Sequence, residues 1–128
     1  MTVLQILGTL VLGLAVTLVL EGAVMLPVLV RQKRKDAFGA FALVNVATNI
    51  TLNLILLIAY AADASYCGAE MTFSFCLAAL ALEVIVVGIE YFVLRKFIEG
   101  KYFFWYVLAA NALSAVAGSI VLTLLMTA

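Results

Sequence analysis

Four long apolar runs, separated by three short polar breaks, take up most of this chain. They cover about residues 3–30, 38–62, 72–94 and 102–126. Each reaches or exceeds the ~20 residues that a helix needs to cross the ~30 Å hydrocarbon core of a bilayer. Lipid offers the backbone no hydrogen-bond partners, so a spanning segment must satisfy its own amides and carbonyls, which a helix does. Transmembrane strands would need segments of about ten residues with strict alternation, a pattern that is absent. Charge leads to the same conclusion. Of the 128 residues 68% are hydrophobic and 11% charged, whereas soluble domains carry about 25% charged residues. So few charges cannot cover this much apolar surface in water; a bilayer is the solvent that fits. The expected fold is an all-α integral membrane protein, one transmembrane domain over 1–128, with a single proline and no low-complexity stretch to mark a linker. The first run has no basic start, is long for a signal peptide and leads into Glu21, so it is read as a retained span.

The breaks orient the spans. All seven bases (Arg31, Lys33, Arg34, Lys35, Arg95, Lys96 and Lys101) fall in the first and third breaks, and "ADASYCGAEM" between the second and third runs has none. Loops rich in Lys and Arg stay on the cytoplasmic side. Loops 31–37 and 95–101 are therefore expected inside, with both termini outside, in a bacterial inner membrane. Aromatic residues fit those levels: Phe38, Phe41, Tyr91, Phe92, Phe97 and "YFFWY" at 102–106 toward the cytoplasmic boundary, Tyr60, Tyr66, Phe73 and Phe75 toward the outer one. Asp36 and Thr72 are the expected N-caps of the second and third helices. Cys67 and Cys76 flank the outer start of the third helix, and either pair there or stay as small apolar thiols. With no His and two Cys, zinc, copper and haem sites are not expected, and no cofactor is.

The two halves of the chain, about 1–64 and 65–128, repeat one pattern. Anchored on the basic loops, "VRQKRKDAFGAFALVNVATNITLN" lies over "LRKFIEGKYFFWYVLAANALSAVAGS" with two residues added in the second loop. Asn45 then matches Asn111, Thr48 matches Ser114, and Asn53 matches Ser119. Glu21 precedes its basic loop in the first half as Glu83 does in the second. This reads as two tandem helical hairpins in one orientation, parallel repeats about an axis along the membrane normal. Such an axis brings the polar groups of both halves toward a common centre.

Those polar groups are the candidate site. Glu21, Asn45 and Asn111 fall on the cytoplasmic side of their span centres, Asn49 and Glu83 near mid-membrane, Asn53 outward of it, and Glu90 near the inner boundary. Three asparagines spaced four apart in "NVATNITLN" drift only about 40° per step around a helix, so Asn45, Asn49 and Asn53 share a stripe. Glu83 and Glu90, seven apart, share a face as well. An acid at the centre of a membrane helix costs about 2.5–3.5 kcal/mol on insertion scales, and such residues pair or mark a pathway. No Lys or Arg stands inside a run to pair with them. The carboxyls must then hold a proton, hold a cation or line a wet cavity; Glu90 can also reach for Arg95 or Lys96. The plainer alternative is a neutral acid hydrogen-bonded to an asparagine, with amides gluing helices together at about 0.5–2 kcal/mol each. Ala110, Ser114 and Gly118 form a small-residue ridge for close helix approach, as do Gly8, Gly13 and Gly22 on the first helix. Pro27 removes a donor from the first helix and frees the carbonyl of Ala23 near Glu21.

Small multidrug exporters share the size but carry one essential glutamate in the first helix, whereas Glu21 lies later and Glu83 duplicates it. The glycine and arginine pattern of fluoride channels is missing. "EGAVMLP" followed by "NVATNITLN" resembles small four-span membrane proteins of anaerobic Gram-positive bacteria. That likeness spans about the first half and implies no particular function.

The expected activity is membrane transport, by channel or carrier, of a proton, a hard cation or a small polar solute. Glu21 and Glu83 would accept the proton or cation, Asn45, Asn49 and Asn111 would supply orienting amides, and Asn53 and Glu90 are further candidates for the binding site. Oxygen-only donors favour H⁺, Na⁺, Mg²⁺ or Ca²⁺. The lipid bilayer is the expected partner, together with a second copy or a larger membrane complex, because four helices enclose little space. The alternative is a non-catalytic subunit or assembly factor whose polar column holds helices together. An enzyme is not expected, since no nucleophile–base pair is present, and nothing suggests a nucleic-acid surface.

Overall fold

A computed structural model describes residues 3–67 and 73–127. They form four helices: α1 (Val3–Leu29), α2 (Asp36–Cys67), α3 (Phe73–Leu94) and α4 (Phe103–Thr127). All four are long and apolar enough to cross a membrane, which suggests a multi-pass membrane protein.

Helix ends depart from expectation in three places. α2 does not stop near Ala62 but continues through Asp63 and Ser65 to Cys67. The run "AADAS" contains no glycine or proline to break it, and the next glycine in the sequence is Gly68. Asp36 is the first residue of α2, and its carboxylate is engaged by Arg34, whose Nε donates to Oδ1 at 3.2 Å and Nη2 to Oδ2 at 2.8 Å. Thr72, the other expected cap, lies outside the described residues. Pro27 stands in the last turn of α1, so its missing donor falls where the helix is about to end. Ala23 is on the exposed face while Glu21 is buried, which separates the freed carbonyl's side of the helix from the carboxyl.

The helices form a ring in chain order, with α4 closing back on α1. The most extensive packing joins α1 to α4, and the next α2 to α3. The expected ridge explains the first pairing: Ala110 and Ser114 are buried, and small side chains let backbones approach. The glycines of α1 behave differently. A Cβ built on Gly8 or Gly13 would meet nothing within 4 Å, and one on Gly22 would only touch Phe41 at 3.9 Å. Gly13 opens space instead of closing it.

The buried apolar core is not spread along the bundle. Met25, Leu29, Phe41, Leu94, Ile98, Phe103, Val107 and Ala110 pack together with Ala37 at the end that carries the basic loops. There the chain is laced across. The Gln32 side chain both donates to Glu99 O at 3.0 Å and accepts from Glu99 N at 2.9 Å. Arg34 donates to Lys96 O at 2.9 Å and its guanidinium lies 5.2 Å from the Phe97 ring centroid. Tyr91 stacks on Phe103 at 5.7 Å and meets Phe104 edge-on at 5.3 Å. Outward faces of all four helices remain apolar and exposed, Val19, Ile58, Val84 and Trp105 among them.

This division sets the expected cost of substitutions. Leu94→Ala empties part of a packed core and should destabilise the detergent-solubilised protein by about 2–5 kcal/mol. Val84→Ala, on a face that meets detergent or lipid, should change the denaturation midpoint little. Comparing thermal or denaturant unfolding of the two variants checks this.

Candidate functional site

Away from the basic end the four helices line a cavity of about 210 Å³. Every helix contributes to its lining: Thr17 and Glu21 from α1, Asn49 and Asn53 from α2, Glu83 from α3, Asn111 and Ser114 from α4. Gly13 and Gly118 line it too, and neither has an atom within 4 Å of where a Cβ would sit. The cavity is wide partly because these positions carry no side chain. No Lys or Arg lines it. All seven bases lie between helices.

The sequence-predicted residues fall into three groups. Glu21 and Asn111 stand at the deep end of the cavity. Glu21 is 2% exposed, and Ser114 Oγ donates to its Oε1 at 2.6 Å. Asn111 and Ser114 are three apart on α4 and lie on neighbouring positions of one side, from which Ser114 reaches α1 and Asn111 reaches α3. Glu83, half-buried, lines the wall with no hydrogen bond to a described side chain. Asn49 and Asn53 line the α2 side and hold each other, Asn53 Nδ2 donating to Asn49 Oδ1 at 2.9 Å and to Asn49 O at 2.8 Å.

Glu90 belongs to a second level behind the cavity. It is 2% exposed and does not line the space. Arg95, one candidate partner, instead lies over the Tyr91 ring at 5.6 Å. Glu90 is clamped from both neighbouring helices: Thr48 Oγ1 on α2 donates to Oε1 and Asn111 Nδ2 on α4 donates to Oε2, each at 2.6 Å. One buried carboxyl thus ties three helices together. It is also near enough to Glu21 for their charges to interact, so the two levels form one acidic region.

Asn45 departs from the stripe. It is fully buried and absent from the cavity lining. Its Nδ2 donates to Phe41 O at 2.9 Å, and its Oδ1 is the one fully buried side-chain oxygen without a partner among the described residues. An unpaired buried acceptor costs about 1–3 kcal/mol. The asparagine column therefore splits, with Asn45 inside the packed end and Asn49 and Asn53 on the cavity.

Sequence reasoning undervalued the hydroxyls. Ser114 and Thr48 entered only as matched positions of the two halves, with Ser114 also counted in a ridge, and Thr17, which is buried and lines the cavity, did not enter at all. The signal was present as a spacing. "NVAT" at 45–48 and "NALS" at 111–114 both set a hydroxyl three residues after an asparagine, and in both places that hydroxyl meets a glutamate on the next helix. Groups of three or more His, Cys, Asp or Glu able to hold a metal are absent among the described residues. Cys76 is free and exposed; the side chain of Cys67 lies outside the described residues.

The two repeat-matched asparagines should respond differently to an apolar replacement of similar size. Asn111→Leu strips Glu90 of a donor and should cost about 1–3 kcal/mol in unfolding free energy. Asn45→Leu removes an unpaired acceptor and should cost clearly less, so equal losses in the two variants would contradict the geometry. Comparison of the chain with known family models, curated proteins and solved structures finds no match.

Proposed function

We propose that this protein is a membrane transporter, channel or carrier, that takes a proton, a hard cation or a small polar solute into the central cavity at Glu21 and Glu83. One observation carries the reading: a cavity lined by all four helices holds two carboxyls and no base. A helix bundle that only needed cohesion would fill such a space with apolar side chains, because an ionisable group in a membrane span is costly. Here glycines at Gly13 and Gly118 keep the space open beside the carboxyls.

The ends of the cavity suit alternating access. The packed, laced core closes the basic end. With the basic loops on the cytoplasmic side, the cavity belongs to the outward half of the bilayer and the core is the inner barrier. The chain is read as two tandem hairpins related about the membrane normal. In support, α1 packs on α4 as α2 packs on α3, and the matched hydroxyls Ser114 and Thr48 meet a glutamate across those two interfaces. Movement of one hairpin against the other would open the inner barrier. A homodimer or larger complex would cover the exposed apolar faces.

A scaffold role is favoured by a different observation, the three-helix clamp on Glu90, and the two readings separate in liposomes. Purified protein is reconstituted with a pH-sensitive dye or a cation-sensitive dye inside, and a diffusion potential drives flux. Wild-type vesicles should exceed protein-free vesicles. Glu21→Gln and Glu83→Gln should cut the rate by roughly tenfold or more, about 1.4 kcal/mol in barrier, with the oligomer and unfolding midpoint retained. Gly13→Leu should also cut it, with the fold intact, because the new side chain enters open space and leucine favours helix over glycine. Flux equal to that of empty vesicles for every ion tried, with glutamate variants that lose their assembly, would establish the scaffold instead.

A further inference from the structure

Two hydroxyls in the acidic region have more acceptors than protons. Ser114 Oγ lies 2.6 Å from Glu21 Oε1 and 3.0 Å from Asn111 O. Thr48 Oγ1 lies 2.6 Å from Glu90 Oε1, 2.9 Å from Val44 O and 3.3 Å from Asn45 O. A hydroxyl has one proton to donate and can accept as well. Facing an ionised carboxylate, each hydroxyl gives its proton to the carboxylate. Facing a carboxylic acid, it accepts a hydrogen bond from the acid's O–H and turns its own proton toward the helix carbonyl, three or four residues back. Heavy atoms need not move between the two states. Asn111 adds to this at Glu90, because its amide has two protons and serves both Glu90 Oε2 and Val107 O, at 2.6 and 3.0 Å, whichever form the acid takes.

We propose that Glu21 and Glu90 are a matched pair of proton-holding sites, each loaded and unloaded by rotation of its partner hydroxyl, Ser114 or Thr48. This deepens the transport reading, on which it rests for its use, by naming the proton as the species held and by pairing Glu21 with Glu90 in place of Glu83. On loading, a hydronium ion in the cavity breaks one O–H bond and leaves as water while its proton forms an O–H bond to a Glu21 oxygen, and the Ser114 O–H turns from the carboxyl to the Asn111 carbonyl. At Glu90 the same exchange turns the Thr48 O–H to the Val44 carbonyl. On unloading, the acid's O–H bond breaks, a water takes the proton as hydronium, and the hydroxyl turns back. Glu21 lines the cavity and is the outer member. Glu90 lies behind Asn111 and is the inner one. Among the described residues the ionisable groups facing them are glutamates. Glu21 lies within electrostatic range of Glu90 and Glu83, both from α3, and Glu83 within range of Glu90; the facing groups of α2 and α4 are the amides and hydroxyls already named. No base lies within a helix to hold two negative charges there at once.

Infrared difference spectra of the full chain in lipid nanodiscs, acidic minus alkaline, test the pair through the carbonyl stretch of protonated carboxyls. Wild type should show this band, shifted in heavy water. Glu21→Gln and Glu90→Gln should each remove a separate part of it, and Glu83→Gln should leave both parts. Ser114→Ala and Thr48→Ala should move the frequency of one part each while keeping its amplitude, and Thr48→Ser should restore the wild-type position. The hydroxyl variants also keep the test decisive if Glu90→Gln does not fold. A band indifferent to Glu21→Gln, or frequencies indifferent to both alanine variants, would overturn the proposal. The spectra need no flux, so the pair stands or falls separately from transport.

Discussion

A carboxyl group inside an apolar bundle has few places to go. Water is scarce, the bases are confined to the loops, and leaving the group bare is costly. The chain answers by giving two of its three intrahelical glutamates a short hydrogen bond from the neighbouring helix: Glu21 from Ser114, and Glu90 from Thr48 and Asn111. These bonds join α1 to α4 and bind α3 to both its neighbours, so the same contacts that make the carboxyls tolerable also set which helices touch. The third glutamate, Glu83, has no such partner and stands on the cavity wall. Glu21 is thus both tied to a neighbouring helix and on the cavity, Glu90 is tied and behind it, and Glu83 is on the cavity alone.

The bundle is correspondingly uneven along its length. At the basic end, aromatic rings, an aliphatic cluster and side chain to backbone hydrogen bonds knit the two loops into one piece. Toward the opposite end, glycine and small polar residues replace bulky ones and a cavity opens. The asymmetry follows from side-chain volume. Met25, Phe41, Leu94, Ile98 and Phe103 can fill the space between four helices, and Gly13, Ser114 and Gly118 cannot. The result is a polar space bounded at one end by a packed apolar core.

The "NVAT" and "NALS" segments share part of that geometry. In each, an asparagine donates to the carbonyl four residues before it, and a hydroxyl one turn on reaches across to a glutamate. The halves then diverge. Asn111 finds Glu90, while Asn45 keeps an unpaired oxygen inside the core. Two similar segments thus sit in unequal environments, because Asn111 also reaches Glu90 on α3 while Asn45 has no second helix's acid within reach among the described residues.

Sequence alone was sufficient for the four helices, their apolar length and the confinement of every base to two loops, because lipid-length hydrophobic runs and charge distribution are local properties of the chain. The presence of a polar column was legible for the same reason: an acid or amide in such a run is conspicuous wherever the helix packs. Which members of the column meet was decided by tertiary structure. Rotation and height of neighbouring helices placed Asn45 away from Asn49 and Asn53, gave Glu90 two donors in place of Arg95, and turned Ser114 from a packing residue into a partner of Glu21. Helical periodicity specifies the face a residue shares with its own neighbours, but the residue opposite that face is chosen only when side-chain volumes across the interface settle how two helices fit.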